Sequence, residues 1–165
     1  SLRKREGTYM NRRELAYQYH KKGYNCAQSV LMSFQDVAGL SEKQCLAIAS
    51  GFGAGAGTGE LCGALTGAIM VLDLLTQTDT ENAVEAKKRA MAQAKELQKR
   101  FSERFDALRC AELLKKKFIP DDTTPSAKVL QLTGHCDIMI VTAVEIVEEM
   151  LQELKGGALP DHIQS

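Results

Sequence analysis

No charge of one sign dominates this chain: 21 Lys and Arg are matched by 21 Asp and Glu, for a formal net charge of zero. No summed field therefore draws it toward nucleic acid or an anionic membrane, and a nucleic-acid role is not expected. A long apolar run is missing too. The longest, Leu61 to Leu72, is interrupted by Gly63 and Gly67 and ends at Asp73, short of the roughly 20 residues that span a bilayer. Sustained period-two alternation is absent, and no Asn-Gly or Asp-Gly joins two apolar runs, so sheet is not expected. No two cysteines stand as C-x-x-C, which removes the thioredoxin-type dithiol, the zinc ribbon and the bacterial ferredoxin run as local motifs. Neither the P-loop nor the Gly-x-Gly-x-x-Gly nucleotide spacing occurs, and H-E-x-x-H is lacking. The three histidines, His20, His135 and His162, are too few and too scattered for an all-histidine metal site.

What is present is a chain of 165 residues, 44% hydrophobic and 25% charged, which suits one folded domain. Its strong periodicities are all helical. Asn11 and Glu14 open a first helix that Gly23 ends, and Asn25 caps a second carrying Val30, Leu31 and Phe34, with Gly39 beyond its end. Ser41 and Gln44 cap a third helix, with Cys45, Ile48 and Ala49 inward. Alternating glycines at 51, 53, 55, 57 and 59 should form an irregular loop, followed from Glu60 by a central fourth helix on Leu61, Leu65, Ile69, Leu72 and Leu75. A solvated helix from Thr80 to Phe105 carries a stripe of Val84, Met91, Leu97, Phe101 and Phe105, and a short helix covers about Cys110 to Lys116. Pro120, Asp121, Asp122 and Pro125 predict an irregular, mobile connection over 117–134. A last helix places Ile138, Val141, Val144, Ile146, Val147, Met150 and Leu154 inward and Glu145, Glu148, Glu149 and Glu153 outward, closing near Gly156.

The expected fold class is thus all-α: a single-domain bundle of about six to seven helices with a glycine-rich loop before the central one. Residues 1–10 read as an N-terminal extension, in part an expression remnant because Ser1-Leu2 lacks a Met; 11–156 form the helical cysteine domain; 157–165 should fray. The first ten residues carry no apolar signal core, so the expected location is the cytoplasm.

Five cysteines in a reducing compartment are free for redox, metal or packing roles. On this map Cys26, Cys62, Cys110 and Cys136 all fall at helix N-termini, where the helix dipole and unpaired N–H groups favour a thiolate. Cys45, in mid-helix, reads as a small buried hydrophobe. If the four helix ends converge, two uses follow. A dithiol would employ Cys62 as attacking sulfur, because its helix end and flanking glycines expose it most, with another of the four resolving it. Alternatively, the same four thiolates would hold zinc or an iron–sulfur cluster. A third reading is a helical interaction module whose cysteines are core.

Cys62-Gly63-Ala64-Leu65-Thr66-Gly67 resembles the C-G-A-x-x-G signature of the C_GCAxxG_C_C family, named for a redox activity inferred from its cysteines. Tyr24-Asn25-Cys26-Ala27-Gln28 is similar to that family's first cysteine segment, Ser50-Gly51-Phe52-Gly53 to its glycine-rich lead-in, and Cys110 and Cys136 to its later cysteines. The resemblance implies a small all-helical protein whose characteristic cysteines are Cys26, Cys62, Cys110 and Cys136, with Cys45 outside the pattern.

Gly57, Gly59 and Gly63 flank Cys62 and are expected to bring backbone N–H groups to a cofactor or leave the sulfur accessible. His135, beside Cys136, reads as a solvated loop histidine that could tune the thiolate. Glu60 reads as an ordinary acid of a first helical turn before a proton shuttle, and Lys115 to Lys117 as a solvated face. The implied partner is a redox protein or small-molecule acceptor, with a homo-oligomer allowed.

Overall fold

Every helix start that the capping pattern marks is a helix start in the structure, a computed structural model that describes residues 10–77 and 82–154. Asn11 accepts from the Glu14 amide at 2.8 Å and opens α1, Arg12–Lys21. Reciprocal capping boxes open α2, Cys26–Met32, through Asn25 and Gln28, and α4, Glu42–Ala49, through Ser41 and Gln44. Between them lies α3, Gln35–Ala38, closed by Gly39 at φ +73°. The expected single helix through Phe34 is therefore divided. Ser33 Oγ donates to the Val30 carbonyl at 2.6 Å, Arg12 donates to the Ser33 carbonyl at 2.7 Å, and the Arg12 guanidinium sits 4.7 Å from the centre of the Phe34 ring. A long-range anchor thus stops α2.

The remaining helices are α5, Gly63–Thr76; α6, Ala83–Phe105; α7, Cys110–Leu113; α8, Pro125–Val129; and α9, His135–Leu154. Among the described residues there are nine helices and no strand, an all-α bundle. The excess over six or seven comes from the divided second helix and from α8. Pro125 stands at the first position of α8, where its missing N–H and locked φ suit a helix start, so the connection over 117–134 is not wholly irregular. The glycine-rich stretch folds into a 3-10 turn, Ser50–Phe52, and a π-type turn, Gly55–Gly59, before α5 starts at Gly63 instead of Glu60. Thr80, Glu81, Gly156, His162 and the segments 1–9 and 157–165 lie outside the described residues.

The centre is shared by α5 and α9. Leu65, Leu72, Leu31, Phe34, Phe101, Ile138 and Ile146 are fully buried, and every residue from Ile138 to Val147 is buried. That continuous burial corrects the outward placement of Glu145. Its carboxylate is covered by α8, accepts from the Ser126 amide at 3.4 Å and lies 3.5 Å from Arg104 of α6. Glu149 and Glu153 are paired with Arg104 and Arg100 at 3.0 and 2.7 Å, so the glutamate row is the charged edge of the α6–α9 contact. Val84, Met91, Ile48 and Leu154, expected inward, are exposed.

Candidate functional site

The signature around Cys62 is a packing instruction. A Cβ at Gly67 would lie 2.8 Å from the Ala27 carbonyl and 3.1 Å from Val30 Cβ, and one at Gly63 would lie 2.9 Å from the Phe52 carbonyl and 3.2 Å from Cys26 Cβ. These distances are shorter than ordinary contacts, so two glycines one turn apart are what let α2 lie directly on α5. The N-terminus of α2, with Cys26 as its first residue, is thereby set against Cys62 at the cap position of α5.

Cys110 is brought in by a different device. Leu61 and Arg109 form an isolated antiparallel bridge: the Cys62 amide donates to the Leu108 carbonyl at 2.9 Å, and the Cys110 amide donates to the Glu60 carbonyl at 2.7 Å. Outside it, Arg109 and Glu60 form an exposed ion pair at 3.1 Å; Glu60 precedes α5 and is not the acid of a first helical turn that it was expected to be. Cys136 enters from the first turn of α9. All four cysteines then line one cavity of about 230 Å³, together with His20, His135, Gly63, Leu113, Leu114 and Met139.

Cys45 is buried in α4 and does not line this cavity. Gly57 and Gly59 are also outside the lining; their φ angles of +78° and +76° account for glycine at those positions. His135 is held in the wall, donating through Nε2 to the Lys116 carbonyl and packing edge-on against Phe118 with ring centres 5.6 Å apart.

Sequence spacing gave no sign of His20. It lies in the last turn of α1, and its Nδ1–H donates to the Asp137 carboxylate at 2.6 Å across the α1–α9 contact. The His20 ring and the sulfurs of Cys26 and Cys136 offer donor atoms all within 4.8 Å of one another. Cys62 and Cys110 are outside this close group. The role of Asp137 exists only because α1 and α9 pack.

The sulfurs are electrostatically unequal. The Cys26 thiol donates to the Cys136 sulfur, which drives Cys26 far above and Cys136 below the ordinary thiol value, the latter to about 6. Burial opposes the shift at Cys136, while the charges of His20 and His135 assist it. Two close thiols can lose one proton readily and the second only with difficulty. The Asp137 hydrogen bond in turn raises His20.

Cys62 was the thiol expected to be most activated, and its environment argues otherwise. Backbone N–H groups of Ala64 and Leu65 do favour its thiolate, but the side chain is buried and desolvation prevails, pushing it up to about 11. Desolvation is also the main reason that Cys110 is raised.

A family model described as "Putative redox-active protein (C_GCAxxG_C_C)" matches residues 24–150, and the chain belongs to that family. The match contains all four cavity cysteines but begins after His20. No curated protein and no solved structure matches the chain.

Proposed function

We propose that this protein is a thiol–disulfide redox protein in which Cys136 attacks and Cys26 resolves. The observation that carries this is the approach of their sulfurs to within 4.8 Å, from two helices far apart in sequence, at a cavity that both line. The Cys136 thiolate attacks one sulfur of a substrate disulfide, forming a mixed disulfide and expelling the other sulfur as thiolate. Cys26 gives up its proton and attacks the Cys136 sulfur, so that a Cys26–Cys136 disulfide forms and the second substrate thiolate leaves. Two electrons pass to the substrate, and an external dithiol restores the protein by the reverse steps. The cavity admits a small disulfide or an extended side chain of a partner protein. Five free thiols suit a reducing compartment such as the cytoplasm.

The test is disulfide mapping after exposure of the reduced protein to a low-molecular-weight disulfide. A Cys26–Cys136 bridge is expected, and Cys26→Ser should accumulate a mixed disulfide on Cys136. A bridge that instead joins Cys62 to Cys110, with Cys136 left free, overturns the assignment.

A further inference from the structure

His20 takes no covalent part in that exchange, yet it is held at the cavity wall by a carboxylate. Its Nδ1 is engaged by Asp137 at 2.6 Å, which leaves Nε2 as the ring nitrogen that can ligate once it gives up its proton. A carboxylate behind an imidazole is the arrangement that orients metal-binding histidines and strengthens them as donors. The other two members of the group are sulfurs, and each donor comes from a different helix: α1, α2 and α9.

We propose that His20, Cys26 and Cys136 form a binding site for a thiophilic divalent cation, Zn2+ by donor type, with Asp137 fixing the His20 ring. Tetrahedral zinc holds sulfur at about 2.3 Å and nitrogen at about 2.0 to 2.1 Å, which sets neighbouring donors roughly 3.5 to 3.8 Å apart. One ring nitrogen of His20 and the two sulfurs already lie within 4.8 Å of one another, about 1 Å outside that spacing. Binding displaces the proton held between the two sulfurs and the Nε2 proton of His20 and releases both to solvent. Two thiolates neutralise the dication, which suits a wall of Leu113, Leu114 and Met139. The cavity leaves the fourth position to water or to an incoming thiolate, as in zinc sites that act on a ligand.

The site shares its sulfurs with the proposed dithiol but does not rest on that reading. Oxidation of Cys26 and Cys136 by a disulfide removes two of the three donors, so metal binding and the disulfide are mutually exclusive states.

The experiment is anaerobic titration of the reduced, metal-free protein with Co2+. One equivalent should give sulfur-to-cobalt charge-transfer absorption and tetrahedral d–d bands that Zn2+ abolishes. Removing the nitrogen donor in His20→Ala should weaken affinity by at least roughly tenfold, and Asp137→Asn, which keeps all three donors, by roughly 10-fold to 100-fold. Circular dichroism checks that each variant folds, and Asp137→Asn decides the matter if His20→Ala does not. The proposal is overturned by absence of the bands in the reduced protein, or by undiminished affinity in a folded His20→Ala or Asp137→Asn. It is equally overturned if Cys110→Ser abolishes binding that His20→Ala leaves intact, which would indicate an all-cysteine set. Disulfide exchange without cobalt bands defeats the metal site alone, whereas cobalt bands without exchange defeat the redox reading alone.

Discussion

At the scale of single residues, burial and the identity of the neighbour decide what a cysteine can do, and the helix end is a secondary influence. Cys62 has the helix N-terminus and the flanking glycines, yet it is pushed up to about 11, because a buried thiolate loses more solvation than two backbone N–H groups return. Cys136 has a thiol donor and two imidazoles nearby and falls to about 6. A thiol reacts through its thiolate, so alkylation of the reduced, metal-free protein should separate these cases. The Cys136 rate should rise through a midpoint near pH 6, whereas Cys62 should remain slow until the pH approaches 11. Mass-spectrometric assignment of the alkylated residue against pH checks the order, and faster labelling of Cys62 at neutral pH would count against it. Cys45→Ala, distant from the cavity, should leave this order unchanged while costing roughly 1 kcal/mol for the lost buried sulfur.

Among the elements, the contact between α2 and α5 positions the site. The two helices approach closely because Gly63 and Gly67 offer no side chain where Ala27 and Cys26 lie. Gly67→Ala, which would put a methyl 2.8 Å from the Ala27 carbonyl, should force the helices apart. The expected cost is roughly 1 to 3 kcal/mol, the range for overpacking a filled core, even though alanine is the better helix former. Chemical denaturation measures that loss. Because Cys26 rides on α2, the same variant should also form the Cys26–Cys136 disulfide more slowly, and normal stability with normal disulfide formation would contradict this account of the signature. The α6–α9 edge shows the same dependence on neighbours. A glutamate row that would suit a solvated face meets Arg100 and Arg104, and Glu145 is buried because α8 lies over it.

For the whole molecule, the cavity is a property of closure. Residues from the two ends of the described chain, His20 with Cys26 and His135 with Cys136, meet at one place. A covalent bond between Cys26 and Cys136 would close a loop of more than a hundred residues. Constraining the unfolded chain over such a loop stabilises by up to about 4.7 kcal/mol, with roughly 2 to 4 kcal/mol the usual yield. The oxidised protein should therefore unfold at a higher denaturant concentration than the reduced one. Equal midpoints, with the Cys26–Cys136 bridge verified by mapping, would mean that native strain cancels the gain.

What the sequence determined by itself is whatever depends on neighbours within a turn or two. The capping residues Asn11, Asn25 and Ser41, the left-handed Gly39, and the placing of four cysteines at helix starts all follow from local hydrogen bonding and local φ, ψ preference. The all-α class and the burial of Cys45 follow equally from period and composition. Tertiary structure decided which of those thiols is acidic, since desolvation and proton sharing depend on groups more than a hundred residues away. It decided that His20 belongs to the site, because an isolated histidine gives no sign of the carboxylate 117 positions on that will hold it. It also placed Glu145 inside and divided the second helix at Ser33, in each case through a long-range partner, Arg104 or Arg12, that local periodicity cannot register.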